Sequence, residues 1–301
     1  MLLTDSLPIR EKKLRVTKKR MTRWIDVTNK GARTLKEAGI GEAELEARFL
    51  LCHVYELSDT EFFIKRPEEL SAQDEEKLGE YERLIEERAK RIPLSQITHS
   101  RWFMGMEFYV NEHVLTPRQD TEILVEEALK HCKGKKVLDM CTGSGCIAIS
   151  LAVMGSPKEV VGIDVSEEAL LVAKQNEKLA EGTAVRWIRS DLFSEVNEKF
   201  DLIVSNPPYI QTDVIKTLEP EVKDHEPMLA LDGSEDGLLF YRKIAAKAPR
   251  FLTPGGYLLF EIGDTQGEAV SRLMRDAGFE NVSVHKDLAG LDRVVEGNVP
   301  L

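Results

Sequence analysis

Cysteine is scarce in this chain. The four present (Cys52, Cys132, Cys141 and Cys146 among 301 residues) sit in apolar or glycine-rich surroundings and outline no disulfide framework. Reduced thiols in a cytoplasmic setting are the simpler expectation. No second Cys or His pair stands at zinc spacing beside Cys141 and Cys146, so no metal is expected, and the six histidines are scattered and read as structural. Long apolar runs are missing too. The longest, Cys146 to Met154, is too short to cross a bilayer, so no membrane association is expected. Positive charge is outnumbered, with 41 Lys and Arg against 52 Asp and Glu and a net charge of −11. That balance opposes nonspecific attraction to nucleic-acid phosphates, although it leaves room for a local basic patch. Residues 1–23 run against the trend: Arg10, Lys12, Lys13, Arg15, Lys18, Lys19, Arg20 and Arg23 face only Asp5 and Glu11. Lacking an apolar core, this stretch is no secretory signal. It reads as a disordered basic tail, or as an extension ahead of a start near Met21.

What is present divides into segments, with no internal repeat. Residues 24–92 are charged and helical in pattern. A helix ends at Gly39, a second spans Glu42 to Leu57 through Leu45, Phe49, Leu50, Cys52, His53 and Val54, and a third runs from a Ser71 cap to Arg91. Asp74-Glu75-Glu76-Lys77 reads as a solvated face. Residues 93–118 alternate apolar and polar around Gly105, as a β-hairpin or extended linker does. From 119 to 301 strands and helices alternate, with strands at Lys136–Met140, Val160–Asp164, Val185–Arg189, Asp201–Ser205, Tyr257–Ile262, Val282–Lys286 and Arg293–Glu296. The expected fold is α/β: a Rossmann-like, doubly wound, mostly parallel seven-stranded sheet with a small helical domain ahead of it.

Two loops carry the chemistry. Val137 to Met140 runs into Cys141-Thr142-Gly143-Ser144-Gly145-Cys146, a glycine loop opening a helix, where the backbone can approach a ligand without a Cβ clash. Gly143 to Ala148 also fits the dinucleotide pattern G-x-G-x-x-A, and Asp164, about 20 residues on, suits a ribose-hydroxyl acceptor for either NAD or S-adenosylmethionine. Three features favour S-adenosylmethionine. Asp139 stands inside the strand end, Ser190-Asp191-Leu192-Phe193 offers a clamp for adenine, and the next strand delivers Asn206-Pro207-Pro208-Tyr209. In that last loop the prolines cannot extend a ladder, so the Asn206 and Pro207 carbonyls, the Asn206 carboxamide and the Tyr209 ring form a cradle for a planar amide or amine.

This order of motifs resembles class I S-adenosylmethionine-dependent N-methyltransferases. The rest of the chain resembles the release-factor glutamine methyltransferases (HemK/PrmC type). The resemblance is carried by Pro93-Leu94-Ser95-Gln96-Ile97, Val114-Leu115-Thr116-Pro117-Arg118 with Thr121-Glu122, Glu226-Pro227, Ala230-Leu231-Asp232-Gly233, Asp236-Gly237-Leu238 with Tyr241, Glu261-Ile262-Gly263 with Gln266, and Asp287-Leu288-Ala289-Gly290 with Asp292-Arg293. It covers nearly everything from Trp24 to Gly297. Three positions depart from the family pattern: Cys141 stands for a usual glycine, Leu192 for a common aromatic, and Gln119-Asp120 for Pro-Glu.

The resemblance implies methyl transfer from S-adenosylmethionine to the side-chain N5 of the glutamine in the Gly-Gly-Gln loop of class I peptide chain release factors. Asn206, Pro207 and Tyr209 would be catalytic, and Asn206, Pro207, Pro208 and Tyr209 would bind the substrate amide. Thr142, Gly143, Ser144, Gly145, Cys146, Asp164, Asp191, Leu192 and Asn206 would hold the cofactor, and the helical domain would grip the protein substrate. A nucleic-acid N-methyltransferase acting on adenine or guanine is the rival reading. It would need a basic channel and a base-flipping pocket, which the acidic balance argues against.

Overall fold

The computed structural model describes residues 22–180 and 182–301. The basic tail expected over residues 1–23 therefore lies, except for Thr22 and Arg23, outside the described residues. The chain forms two compact units, divided between Glu86 and Glu87.

The first unit is helical: α1 (Trp24–Glu37), α2 (Ala43–Tyr55), α3 (Asp59–Lys65) and α4 (Ala72–Ala89), the last extending past the division. Ser71 does cap α4. Its hydroxyl accepts from Asp74 N at 3.1 Å while Asp74 Oδ2 accepts from Ser71 N at 2.9 Å, a reciprocal box that satisfies two helix-end donors. The core is Trp24, Leu35, Leu50, Leu51, Tyr81 and Leu84. Gly31 is needed where α1 meets α4, because a Cβ there would lie 2.1 Å from the Tyr81 hydroxyl. The face that α2 buries is Ala43, Ala47, Leu50, Leu51 and Val54, and Leu45 and Phe49 are exposed. Of the expected apolar stripe, Leu50 and Val54 are buried and Leu45 and Phe49 are not, Ala43 and Ala47 sharing the buried face in their place.

The second unit opens with α5 (Leu94–Thr98), a helix where extended linker was expected. The hairpin follows: β1 (Arg101–Phe103) pairs antiparallel with β2 (Met106–Phe108). Met104 and Gly105 turn between them with φ of 50° and 74°, the two positive values a tight hairpin turn requires. Phe103 and Phe108 are buried against the sheet's first helices.

The sheet has seven strands: β3 (Lys136–Met140), β4 (Glu159–Asp164), β5 (Val185–Arg189), β6 (Phe200–Ser205), β7 (Leu252–Glu261), β8 (Glu280–Lys286) and β9 (Asp292–Asn298). Their order is β5-β4-β3-β6-β7-β9-β8, parallel except for β9, which is antiparallel to both β7 and β8. The expected doubly wound, mostly parallel sheet is therefore what forms. Its parallel strands are apolar on both faces because both are covered. Leu138, Ile203 and Phe260 meet the helices at Leu239–Lys247 and Gly267–Asp276. Val137, Leu202 and Leu259 meet α6 (Asp120–Cys132) and α7 (Cys146–Met154). The chain runs β3-β4-β5 toward one edge and then returns to β6 beside β3. That reversal opens a crevice at the carboxyl ends of β3 and β6, where open α/β sheets place ligands.

Candidate functional site

A cavity occupies that crevice, lined among others by Arg118, Thr121, Cys141 to Ser144, Cys146, Asp164, Asp191, Leu192, Asn206 and Pro208. It gathers nine of the twelve residues the sequence proposed. The other three, Gly145, Pro207 and Tyr209, do not line it.

The glycine loop is held from below. Asp139 is fully buried, and its Oδ2 accepts from the Thr142 hydroxyl at 2.5 Å and from Ala148 N at 3.1 Å. Burial nevertheless pushes its carboxyl up to about 7, against the lowering effect of those bonds. Asp139 thus fastens the loop to α7 and does not reach the cavity, a correction to its expected place among the ligand's neighbours. Gly143 has φ of 55° and open space where a Cβ would stand. Gly145 has a different task. With φ of 79°, its missing Cβ would stand 2.9 Å from the Trp187 ring and 3.0 Å from Ala173 Cβ, so it lets the loop pack on β5 and on α8 (Glu167–Leu179). Asn176 of α8 was not foreseen. Buried, it donates to Ser144 O at 2.9 Å and exchanges bonds with the Tyr109 backbone at 2.7 and 3.0 Å, joining the glycine loop to the hairpin's exit.

Asp164 ends β4 beside the loop. Its oxygens accept from Gly143 N at 2.9 Å and Ser166 N at 3.0 Å, and burial raises its carboxyl above the usual range. A carboxylate has about four lone-pair sites, so two backbone donors leave acceptor capacity facing the cavity. Cys141, where a glycine was expected, adopts φ of 63°, a left-handed conformation that costs a side chain with a Cβ about 1–2 kcal/mol. Its thiol is pushed well up by burial. Leu192, also left-handed at φ of 50°, is buried with its carbonyl accepting from the Ser190 hydroxyl at 2.6 Å, while Asp191 beside it is exposed.

At the end of β6, Asn206 turns its carboxamide toward α6. Its Nδ2 donates to the Thr121 hydroxyl at 3.3 Å. Thr121 in turn faces Glu261, at the end of β7, and favours its ionised form. Glu261 is buried and pushed up to about 7 by desolvation, partly countered by Thr121 and the Arg293 guanidinium. Pro207 is buried and Tyr209 is half-buried, and neither lines the cavity. The Tyr209 hydroxyl donates to Glu261 Oε1 at 3.5 Å. Asp120, the departure from Pro-Glu, has a structural partner in Arg293 at 3.2 Å.

The loop's backbone is fixed by the motifs that follow it. Ile210 bridges Asp232, with Ile210 N to Leu231 O at 3.0 Å and Gly233 N to Ile210 O at 2.8 Å. A Cβ on Gly233 would stand 2.7 Å from Tyr209 Cα, and one on Gly237 would stand 2.4 Å from Tyr209 O. Gln266 Nε2 donates to Tyr209 O at 3.1 Å. Glu226, buried, accepts from Arg118 at 2.6 Å and from Thr116 N at 3.3 Å, tying the 114–118 segment to the same region. These glycines, Gln266 and Glu226 were legible as motifs, but their service to one loop was not. Thr121 and Glu261 also stood in motifs, and nothing in their local pattern signalled a contact with Asn206.

Comparison with known proteins gives the family. A family model for the PrmC N-terminal domain matches residues 26–98, and one for the methyltransferase small domain matches residues 118–224. A release factor glutamine methyltransferase of Thermodesulfovibrio yellowstonii is 40% identical over 256 residues, covering 83% of this chain and 90% of its own. One of Geobacter sulfurreducens is 40% identical over 267 residues, covering 88% and 93%. A methyltransferase of solved structure from Pyrococcus furiosus shares the fold at 16% identity and a TM-score of 0.53, covering 72% of this chain and 99% of its own. With that identity sustained along nearly the whole chain, this protein belongs to the release factor glutamine methyltransferase family.

Proposed function

We infer that this protein methylates the side-chain nitrogen of a glutamine in a peptide chain release factor, drawing the methyl group from S-adenosylmethionine, and so tunes translation termination. The observation that carries the reading is the Asn206 carboxamide, whose Nδ2 is committed to Thr121. Its Oδ1 is then left as the acceptor for a substrate N–H. An amide nitrogen is a poor nucleophile because its lone pair is delocalised into the carbonyl. Two acceptors, Asn206 Oδ1 and the Pro207 carbonyl, can fix that nitrogen's orientation by taking its two hydrogens. Tyr209, two residues beyond Pro207 in the same loop, is held by Glu261 and Gln266.

The cavity suits the cofactor. Asp164 retains acceptor capacity for ribose hydroxyls, the Gly143 backbone is open to close approach, and buried Leu192 supplies apolar cover for adenine. S-adenosylmethionine, when bound, supplies an electrophilic methyl on a sulfonium. The substrate nitrogen that takes this methyl would then release a proton. No base is needed at that atom, since the methylated nitrogen is strongly acidic.

The helical unit ahead of the sheet is the proposed grip on the release factor, and nucleic acid is not the expected substrate. Among the described residues no helix is long and apolar enough to cross a membrane, and a cytoplasmic setting suits the substrate class. The test is incubation with labelled S-adenosylmethionine and purified release factor, followed by mass mapping, with DNA and RNA tried in parallel at two salt concentrations. One methyl on a glutamine side chain is expected. Label on nucleic acid, or none on the release factor, overturns the reading.

A further inference from the structure

Asn206 can meet a substrate amide in two ways. With Nδ2 turned to Thr121 it offers an acceptor, Oδ1, and with Oδ1 turned there it offers a donor, which repels a substrate N–H. The two orientations of a carboxamide have nearly the same shape, so the choice rests on the proton of its partner. Here Nδ2 donates to the Thr121 hydroxyl at 3.3 Å. A hydroxyl has one proton to give, so the group that takes the Thr121 proton decides which end of Asn206 the hydroxyl receives.

Glu261 is placed to take it. The residue ends β7 and is 1% exposed, and the Thr121 hydroxyl bonds its carboxyl. The Tyr209 hydroxyl donates to Oε1 at 3.5 Å. Two side chains of the Asn206 to Tyr209 loop therefore lead to one acid, Asn206 through Thr121 and Tyr209 directly. Around them stand Arg293 of β9, which favours the charge on Glu261, and Asp120 of α6, which opposes it. The Cys146 thiol of α7 also feels that charge, and the Tyr241 hydroxyl donates to the Glu261 backbone carbonyl at 2.8 Å. Glu261 Oε2 is buried and, among the described residues, has no hydrogen-bond partner. Burial pushes the carboxyl up to about 7, so its ionised form weakens the fold near neutral pH, where a neutral side chain would not. Stability does not account for an acid at this position.

Resting on the reading of Asn206 given above, we propose that Glu261 is a positioning residue for methyl transfer. Its carboxylate takes the Thr121 proton, which leaves Thr121 a lone pair for Asn206 Nδ2 and so presents Oδ1 to the substrate. When Glu261 carries a proton it is itself a donor, and Thr121 is no longer bound to give its proton away. Asn206 can then turn Oδ1 to Thr121 and show the substrate the wrong end. Methyl transfer should therefore slow as pH falls through about 7.

Two measurements on the full chain test this. In nitrogen NMR spectra recorded without substrate, the Asn206 side-chain NH₂ signal is assigned by its loss in Asn206→Ala. It should shift between about pH 5.5 and 8.5 with a midpoint near 7, and hold still in Glu261→Gln. Single-turnover transfer to release factor should rise about fivefold or more from pH 6 to 8.5, as the ionised fraction goes from about a tenth to nearly all. Glu261→Gln should lack that rise, stay near the slower rate throughout, and bind S-adenosylmethionine within about twofold of normal. An Asn206 signal that does not move in the unaltered protein, or that moves alike in Glu261→Gln, overturns the proposal whether or not release factor is methylated. A rise in rate that survives in Glu261→Gln overturns it too. A titrating signal with no methyl on the release factor supports the link from Glu261 to Asn206 and rejects the substrate reading instead.

Discussion

Replacing Thr121 by valine removes one hydroxyl from the floor of the site while keeping the side chain's branched shape. Asn206 Nδ2 then has no acceptor where Thr121 Oγ1 stood at 3.3 Å. A buried donor left unsatisfied costs about 1–3 kcal/mol, and a half-buried carboxamide with a long bond belongs at the lower end. We therefore expect the competent orientation of Asn206 to lose about 1–1.4 kcal/mol, a five- to tenfold slower methyl transfer. Asn206→Ala removes the acceptor itself and should cost about 2.7 kcal/mol or more, roughly 10²-fold. Asn206→Asp should be nearly as slow, because a carboxylate cannot donate to Thr121. If Thr121 acts through Asn206, the two losses are not additive, and the double variant should be no slower than Asn206→Ala within about a factor of two. Thr121→Ser should restore most of the rate. The assay is single-turnover transfer of labelled methyl to a glutamine-containing release factor at saturating cofactor. A Thr121→Val enzyme within twofold of normal would refute the reasoning, as would a double variant that loses the product of the two effects.

Asp164→Ala should weaken cofactor binding by about 1–3 kcal/mol, the scale of bonds to a charged acceptor. Calorimetry checks it, and unchanged affinity would reject the ribose assignment. Cys141→Gly relieves a left-handed residue but adds freedom to the unfolded chain, so a net gain of up to about 1 kcal/mol is expected, read from the denaturant midpoint. Cys141→Val should destabilise. Glu261 is pushed from 4.5 up to about 7, so the folded state holds its proton more tightly than the unfolded state does. Its contribution is fully present below about pH 4.5 and is lost, on the order of 3 kcal/mol, as pH rises toward 7. Glu261→Gln should flatten that segment of the melting-temperature profile between pH 4 and 8, and an unchanged slope would contradict the assignment.

The sequence alone carried the sheet and the loops at its strand ends. Apolar runs such as Val137–Leu138 and Leu202–Val204 suit a sheet covered on both faces, and a glycine loop or a Pro-Pro turn follows the end of each strand. The glycine loop, Asp164, Leu192 and Asn206 therefore had to emerge at one edge, and all line the cavity. Local pattern served less well where packing decides. The apolar stripe of α2 was only half right, with Leu50 and Val54 buried and Leu45 and Phe49 exposed, and α5 was missed because five residues carry too little periodicity.

Asp139 shows the limit at the site. Its type and position were legible, but only the tertiary structure turns its carboxylate into the protein, onto Thr142 and Ala148. Thr121 and Glu261 lie 85 and 55 residues from Asn206 in opposite directions along the chain. Their meeting depends on how α6 and β7 pack beside β6, a long-range result that no local spacing encodes.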